Sequence, residues 1–295
     1  DFTFLHPVVP LIAGLITALA DFSSKPSLAV RPLTAQATVN VHVVAGTRQR
    51  FEQASSLVQT MPVNEAIARL AESFLGSPYL AFSLDRAGSE QLRLDLMQFD
   101  CMLFVEQLLA MASADSFQDF ADRTRRLRYR NGDVDYCTRQ HYFHDWVLSA
   151  QDQGFLETGS AWRGQITREL PLNFMSTHRG RYPALQTPRL FECILEREQG
   201  RRIEQQYLPL ASLDAALPEL RSGDLFAVAT SVRGLDVSHT GVLVRDGSRL
   251  DAIHAAPGHG VIRSRSFARY LRSVPDAIGA VIVRPRERTT SSPPH

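Results

Sequence analysis

The hydrophobic period of this chain changes once, and that change constrains the fold more than any other feature. In the first half apolar residues recur at helical spacing; in the last third they form short strand-like runs. "VNEAIARLAESFLGSPY" puts Ala66, Leu70 and Phe74 on one face, with Gly76 and Pro78 to end the helix. "FDCMLFVEQLLA" carries the stripe Cys101, Val105, Leu108 and Ala112. "SFQDFADRTRRLRY" and "QHYFHDWVLSAQDQG" are two more amphipathic helices, the second closed by Gly154, with the Asn-Gly turn of "RNGDVDY" between them. Then "DLFAVAT", "HTGVLVR", "LDAIHAA" and "IGAVIVRP" read as strands, and "RDGS" joins the second to the third as an Asp-Gly hairpin. Helices first and an antiparallel meander after imply an α+β fold, with helices packed on one sheet. Residues 155 to 220, punctuated by Pro171, Pro183, Pro188 and Pro218, assign no clear elements.

Composition allows a sizeable core: 44% of the 295 residues are hydrophobic and 21% charged. A formal net charge of +1 gives no bulk attraction for nucleic acid. Lys25 is the only lysine, so the positive charge is almost all arginine, which suits bidentate contacts to carboxylates.

The ends read differently from the middle. "FLHPVVPLIAGLITALA" with the small residues Ala35 to Ala37 after it reads as an export signal, without a basic segment ahead of it. A membrane-proximal anchor and a folded helix are the alternatives, and Pro7 and Pro10 make the run short for a bilayer span. The expected organisation is therefore a signal-like segment and linker at 1–45, one catalytic domain at 46–286, and a disordered tail at 287–295.

Three cysteines, Cys101, Cys137 and Cys193, permit at most one internal disulfide, and no pair has zinc-ribbon or redox-motif spacing. Cys137 and Cys193 are expected to be unpaired or merely structural, with a bond between them as the alternative.

Cys101 opens its helix directly after Asp100, a good N-cap. Taken alone, a lone cysteine here is most often a buried core thiol. The helix N-terminus gives it a second reading, because the dipole and free N–H groups favour a thiolate and can receive an oxyanion. A nucleophile needs a base. If Asp246 and Gly247 form the hairpin turn, Arg245 pairs with Ser248 and His239 faces His254, both projecting from one side of the sheet. One imidazole can then act as base while the other orients it.

These segments in order, "GSPY", "FDCMLFVEQLLA", "GLDVSHTGVLV" and "IHAA", resemble the NlpC-type cell-wall cysteine peptidases of the papain-like superfamily. "RYRNGDVDYCTRQHYFHDW" and "GLDVSHTG" more closely resemble the N-acetylmuramoyl-L-alanine amidase-like branch. The resemblance spans roughly residues 62 to 285. It implies a papain-like NlpC-type α+β fold, the nucleophile helix packed on an antiparallel sheet with helical additions. It implies Cys101 as nucleophile, His239 as base, His254 as the third polar residue and Tyr79 as a residue lining the site. Two departures stand beside the nucleophile: "LAFSLD" replaces the common Gly-Gly after the tyrosine, and Met102 replaces the common serine after the cysteine.

The implied activity is hydrolysis of an amide in peptidoglycan or muropeptides, most simply the MurNAc–L-Ala bond. A γ-D-glutamyl–diamino-acid endopeptidase, a non-catalytic muropeptide-binding module and a wall hydrolase delivered to rival cells are the alternatives. No cofactor, no nucleic acid and no stable membrane insertion after processing are expected, and the location is periplasmic or secreted. Arg139, His141, Tyr142, Asp145 and Trp146 are candidates to line a muropeptide groove, with His141 and Asp145 on one helical face; the alternative is a structural helix with the aromatics in the core. His141, His144 and Asp145 lack further ligands at metal spacing. Asp236 either turns the loop before the strand or orients a neighbour, and Ser238 stands beside the base.

Overall fold

The computed structural model describes residues 40–85 and 89–288. The signal-like segment lies outside the described residues. Among those described, no helix is long and apolar enough to cross a membrane.

The helices, in chain order, are α1 (Thr47–Ser55), α2 (Val63–Ser73), α3 (Cys101–Ala112), α4 (Phe117–Arg128), α5 (Phe143–Asp152), α6 (Phe174–Thr177), α7 (Pro188–Glu198), α8 (Leu213–Ala216) and α9 (Phe267–Ser273). The strands are β1 (Val41–Val43), β2 (Leu92–Leu94), β3 (Ile166–Pro171), β4 (Arg202–Pro209), β5 (Leu225–Thr230), β6 (Val237–Asp246), β7 (Arg249–Ala256), β8 (Gly260–Ser264) and β9 (Ala277–Val283). β1 and β2 form a small parallel pair; the rest form a seven-stranded sheet ordered β3-β4-β9-β5-β6-β7-β8, antiparallel throughout. The four strands expected from the sequence are its centre. The uninformative middle of the chain supplies the far edge, β3 and β4.

The sheet separates two cores. Val242, Val244, Ile253 and Ala255 alternate toward α2 and α3, in one core with Ile67, Leu70, Phe104 and Leu108. Phe226, Leu243, Leu250 and Ala252 face the other way, onto Phe267 and Leu271 of α9. The period-two alternation of β6 and β7 thus feeds both sides, so helices cover two faces rather than the one expected. A third cluster joins Tyr142, Leu172, Phe174 and Ile194 beneath α6 and α7.

Local signals behave as their chemistry requires. Ser116 caps α4 by accepting from the Asp119 N–H, 3.1 Å. Ala66, Leu70 and Phe74 are fully buried, and α2 ends at Ser73. Gly241, in the "HTG" element, has no room for a side chain: a Cβ would sit 2.6 Å from the Phe226 ring and 2.7 Å from the Ile253 carbonyl.

Several expectations need correction. The β6–β7 turn is Gly247-Ser248, not Asp246-Gly247, because Gly247 takes the first turn position with φ +59°, where positive φ is required. Asp246 therefore pairs with Arg249 and Arg245 with Leu250. The slip moves the pairing by two residues, so His239 no longer sits opposite His254 but diagonally across from it on the same side. Cys137 and Cys193 form a disulfide, bringing the loop before α5 onto α7. α5 begins at Phe143, so His141 precedes the helix and shares no helical face with Asp145. The fold also reaches past both expected domain bounds. β1 starts at Val41, and Glu287 caps α2 by accepting from the Val63 N–H at 2.7 Å and the Asn64 N–H at 3.2 Å.

Candidate active site

The site assembles where the start of α3 meets the start of β6. Asp100 is extended and its carboxylate accepts from the Leu103 N–H, 2.8 Å, which fixes the first turn and sets Cys101 at its first helical position. Tyr79 lies alongside on a parallel bridge to Phe99: the Leu80 N–H reaches the Phe99 carbonyl and the Phe99 N–H the Pro78 carbonyl, both at 3.0 Å. Thr240 ties the helix to the sheet, its hydroxyl donating to the Cys101 carbonyl at 2.7 Å.

A β-bulge explains how His239 comes to be aimed. Ala227 pairs with Thr240 and Ala229 with Val237, so β6 holds one more residue than β5 over this stretch. Val237 packs with the α3-side core and Thr240 bonds to α3, with two residues between them instead of one. Alternation therefore breaks at Ser238 and His239. Ser238 is exposed and His239 half-buried. Bulges beside active sites re-aim a side chain in this way.

From His239 a hydrogen-bonded line runs across the sheet. His239 Nε2 is 2.9 Å from His254 Nδ1, and His254 Nε2 is 2.9 Å from Ser264 Oγ on β8. Tyr270 of α9 lies against the His254 ring, centroids 4.5 Å apart. If His239 Nδ1 is to accept a proton, its Nε2 must carry the hydrogen. His254 Nδ1 then accepts, and His254 Nε2–H donates to the serine. One set of tautomers satisfies the whole line.

The electrostatics work against the thiolate expected at the helix start. Burial and the neighbouring Asp100 carboxylate push the Cys101 thiol up to about 12; hydrogen bonds from Thr240 and the Met102 backbone favour the thiolate but are outweighed. Burial lowers His239 to about 4, and burial with His239 lowers His254 to about 3. Burial, Cys101 and Asp100 together raise Tyr79 to about 12. Tyr270 is also raised, by burial and by Cys101. Near neutral pH the site holds a thiol, two neutral imidazoles and protonated tyrosines. The N–H of Cys101, at the first position of α3, has no intrahelical carbonyl to bond.

The other candidates go elsewhere. Arg139 is buried among Asp85 (2.5 Å), Glu90 (3.2 Å) and the Leu84 carbonyl, and its guanidinium covers the Tyr136 ring. His141 Nε2 is 2.8 Å from the Tyr136 carbonyl, and burial holds its pKa well below the usual value. Tyr142 donates to Glu198 at 2.5 Å, and Trp146 is core, stacked on Phe143. The structural alternative describes these four. Asp236 accepts from the His144 N–H at 2.8 Å and the Val237 N–H at 2.9 Å, so it fastens the loop before β6 to the start of α5; burial raises it to about 6. Asp145 pairs with Arg197 and Arg201. Among the described residues no group of three or more His, Cys, Asp or Glu side chains is placed to hold a metal.

Ser264, Tyr270 and Thr240 were not among the expected site residues. Thr240 could have been suspected from "HTG". Ser264 and Tyr270 carry no local signal and arrive only by strand pairing and helix packing.

The model of the AmiA-like family, described as N-acetylmuramoyl-L-alanine amidase-like, matches residues 69–279. A crystallised N-acetylmuramoyl-L-alanine amidase from Bacteroides uniformis is 30% identical, with a TM-score of 0.70 over 75% of this chain and 98% of that one. A Bacteroides fragilis protein with a provisional xylanase name is 31% identical, with a TM-score of 0.65 over 72% and 98%. A Legionella pneumophila protein of the family DUF1460 shares the fold at 20% identity, with a TM-score of 0.67 over 82% and 95%. No curated protein matches the sequence. With the family model spanning most of its length, the chain belongs to the AmiA-like family of N-acetylmuramoyl-L-alanine amidase-like proteins.

Proposed function

We propose that this protein is a cysteine amidase of the papain-like NlpC type that hydrolyses an amide bond in peptidoglycan or muropeptides, the bond between MurNAc and L-Ala. One observation carries the mechanism. The His239–His254–Ser264 line, with 2.9 Å at each step, begins one residue from Thr240, which holds the Cys101 turn. Family membership and the amidase name of the Bacteroides uniformis protein support the substrate class.

In this reading the Cys101 thiol attacks the amide carbonyl as its proton passes to His239 Nδ1. Concerted transfer suits a thiol held at about 12, because a free thiolate never has to accumulate. His254 takes the Nε2 hydrogen bond of the resulting imidazolium. The Cys101 N–H and the Tyr79 hydroxyl stabilise the oxyanion. The C–N bond breaks as His239 returns the proton to the leaving amine, and water then hydrolyses the thioester with His239 as base. The disulfide fits an exported protein, periplasmic or secreted.

Wild type and Cys101→Ala are incubated with defined muropeptides and the products identified by mass spectrometry. Release of free L-Ala-peptide and intact sugar by wild type alone is the expected result. Cleavage after D-Glu replaces the amidase by the γ-D-glutamyl endopeptidase, and no Cys101-dependent product from either substrate refutes the enzyme.

A further inference from the structure

Behind α5, away from the cysteine, lies an open cavity of about 1010 Å³ whose wall carries five arginines and two aspartates. Its charge is unbalanced at one spot. Arg201 bonds Asp145 through both of its terminal nitrogens, and Arg197 reaches the same carboxylate at 3.3 Å. Arg130 completes the group, and among the described residues no carboxylate pairs with it; its partner is the Cys137 carbonyl, 3.1 Å away. Two guanidinium groups therefore share the Asp145 carboxylate, and a third beside them has none. Arg125 and Arg126, which also line the cavity, are held by Asp122 at 2.6 Å and Gln153 at 3.1 Å.

The cluster is built rather than incidental. The Asp145 side chain is 9% exposed, and Arg197 is anchored by two backbone carbonyls, Cys137 at 3.1 Å and Arg139 at 2.9 Å. Cys137 is in turn locked to α7 by its disulfide, on the helix that carries Arg197. Burial first, and then the charges of Arg130 and Arg201, lower the pKa of Arg197 against the opposing pull of Asp145 and Glu198. Planar forks fixed in place, with positive charge to spare at a concave surface, match the bidentate recognition of carboxylate or phosphate oxygens.

We infer that the cavity beside Arg130, Arg197 and Arg201 is a binding site for a ligand carrying two or more oxyanion groups, carboxylate or phosphate. It is separate from the cysteine site and does not require that site to be catalytic. Its wall adjoins α5, whose His144 N–H is held by Asp236 three residues before His239, so an occupant would rest on the element that anchors the start of β6.

The test is calorimetric titration of the full chain with inorganic pyrophosphate and, separately, with triglutamate, at low and at physiological ionic strength. Wild type binds at least one of the two, more weakly at the higher salt. Arg130 is exposed and leaves the core untouched, so Arg130→Glu keeps the thermal midpoint while weakening binding at least about tenfold. Arg130→Lys, which keeps the charge and loses the fork, falls between the two. Binding of pyrophosphate alone assigns the site to phosphate, of triglutamate alone to an acidic peptide. Millimolar probe without any binding by wild type overturns the proposal, and so does binding that Arg130→Glu leaves unchanged. Because the readout is binding, its result is independent of muropeptide hydrolysis.

Discussion

His239 Nε2 lies 2.9 Å from His254 Nδ1, and this contact leaves Nδ1 as the one nitrogen of His239 available for proton transfer. The relationship rests on a bulged strand and a diagonal pairing, so the imidazole is positioned by the sheet itself.

In the proposed mechanism His239 is the base, and an imidazole held at about 4 by burial loses its proton far below the ordinary histidine range near 6.5. The kcat/KM for muropeptide is therefore expected to rise through a limb near pH 4 and stay level through neutrality. The thiol at about 12 adds no second limb in the working range. A pH profile that titrates near 6.5 contradicts this assignment.

Stability should show the same burial from the other side. His239 and His254 have folded values of about 4 and 3, below their unfolded value near 6.5. The unfolded chain binds their protons first, so stability is full above about pH 6.5 and is lost as pH falls toward 4 and 3. His141, also lowered by burial, acts in the same direction. Asp236, raised to about 6, opposes it between about 6 and 4 with a smaller shift. Urea unfolding should give a lower free energy at pH 4.5 than at 7, with a shallower difference in His254→Gln.

Ser264 closes the line, and its removal separates orientation from structure. Ser264→Ala leaves His254 Nε2–H without its acceptor when His239 becomes charged. A hydrogen bond coupled to a charged group is worth about 1.5–3 kcal/mol, so kcat should fall roughly tenfold or more with KM little changed. Ser264→Thr restores the hydroxyl and should recover most of the rate. Equal activity in Ser264→Ala and wild type would remove the serine from the line.

How far the sequence revealed this arrangement depended on how local each signal was. The cap of Asp100 on α3 and the inward face of α2 are short-range, and both were legible. The meeting of His239 and His254 was legible for a subtler reason. The assumed turn was displaced by one residue, but the resulting slip is even, and an even slip keeps side chains on the same face of a strand. The bulge at Ser238–His239 depends on pairing with β5 and left no trace in "GLDVSHTG". Arg139 read as a surface binder because Asp85 and Glu90 are about fifty residues away along the chain. The bond between Cys137 and Cys193 stood only as the alternative, since cysteine spacing cannot encode a contact made by α7 packing on a loop.

That disulfide should be the strongest single staple in the fold. Its sequence separation of 56 residues implies about 4 kcal/mol of lost unfolded-chain entropy. Cys137→Ser with Cys193→Ser, or reductant added to the wild type, is expected to lower the unfolding free energy by a large part of that amount. The bond also fixes the carbonyl that holds Arg130 and Arg197. Loss of the bond without a change in urea midpoint would show that the loop is held by its other contacts.

Phe82 offers the reverse case, a residue whose replacement should stabilise the protein. It sits three residues after Tyr79 with φ +55°, in the left-handed region, and its side chain is 61% exposed. The backbone conformation costs about 1 kcal/mol or more for a non-glycine residue, and an exposed ring returns little burial to offset it. Glycine relieves the strain but adds entropy to the unfolded chain, so Phe82→Gly should gain about 0.5–1 kcal/mol. Phe82→Ala keeps the strained φ and should gain nothing, which separates backbone from side chain. If Phe82→Gly is more stable but slower on muropeptides, and Phe82→Ala is slow without being more stable, the exposed ring serves the substrate. If both keep full rate, the strained conformation beside Tyr79 has no part in turnover.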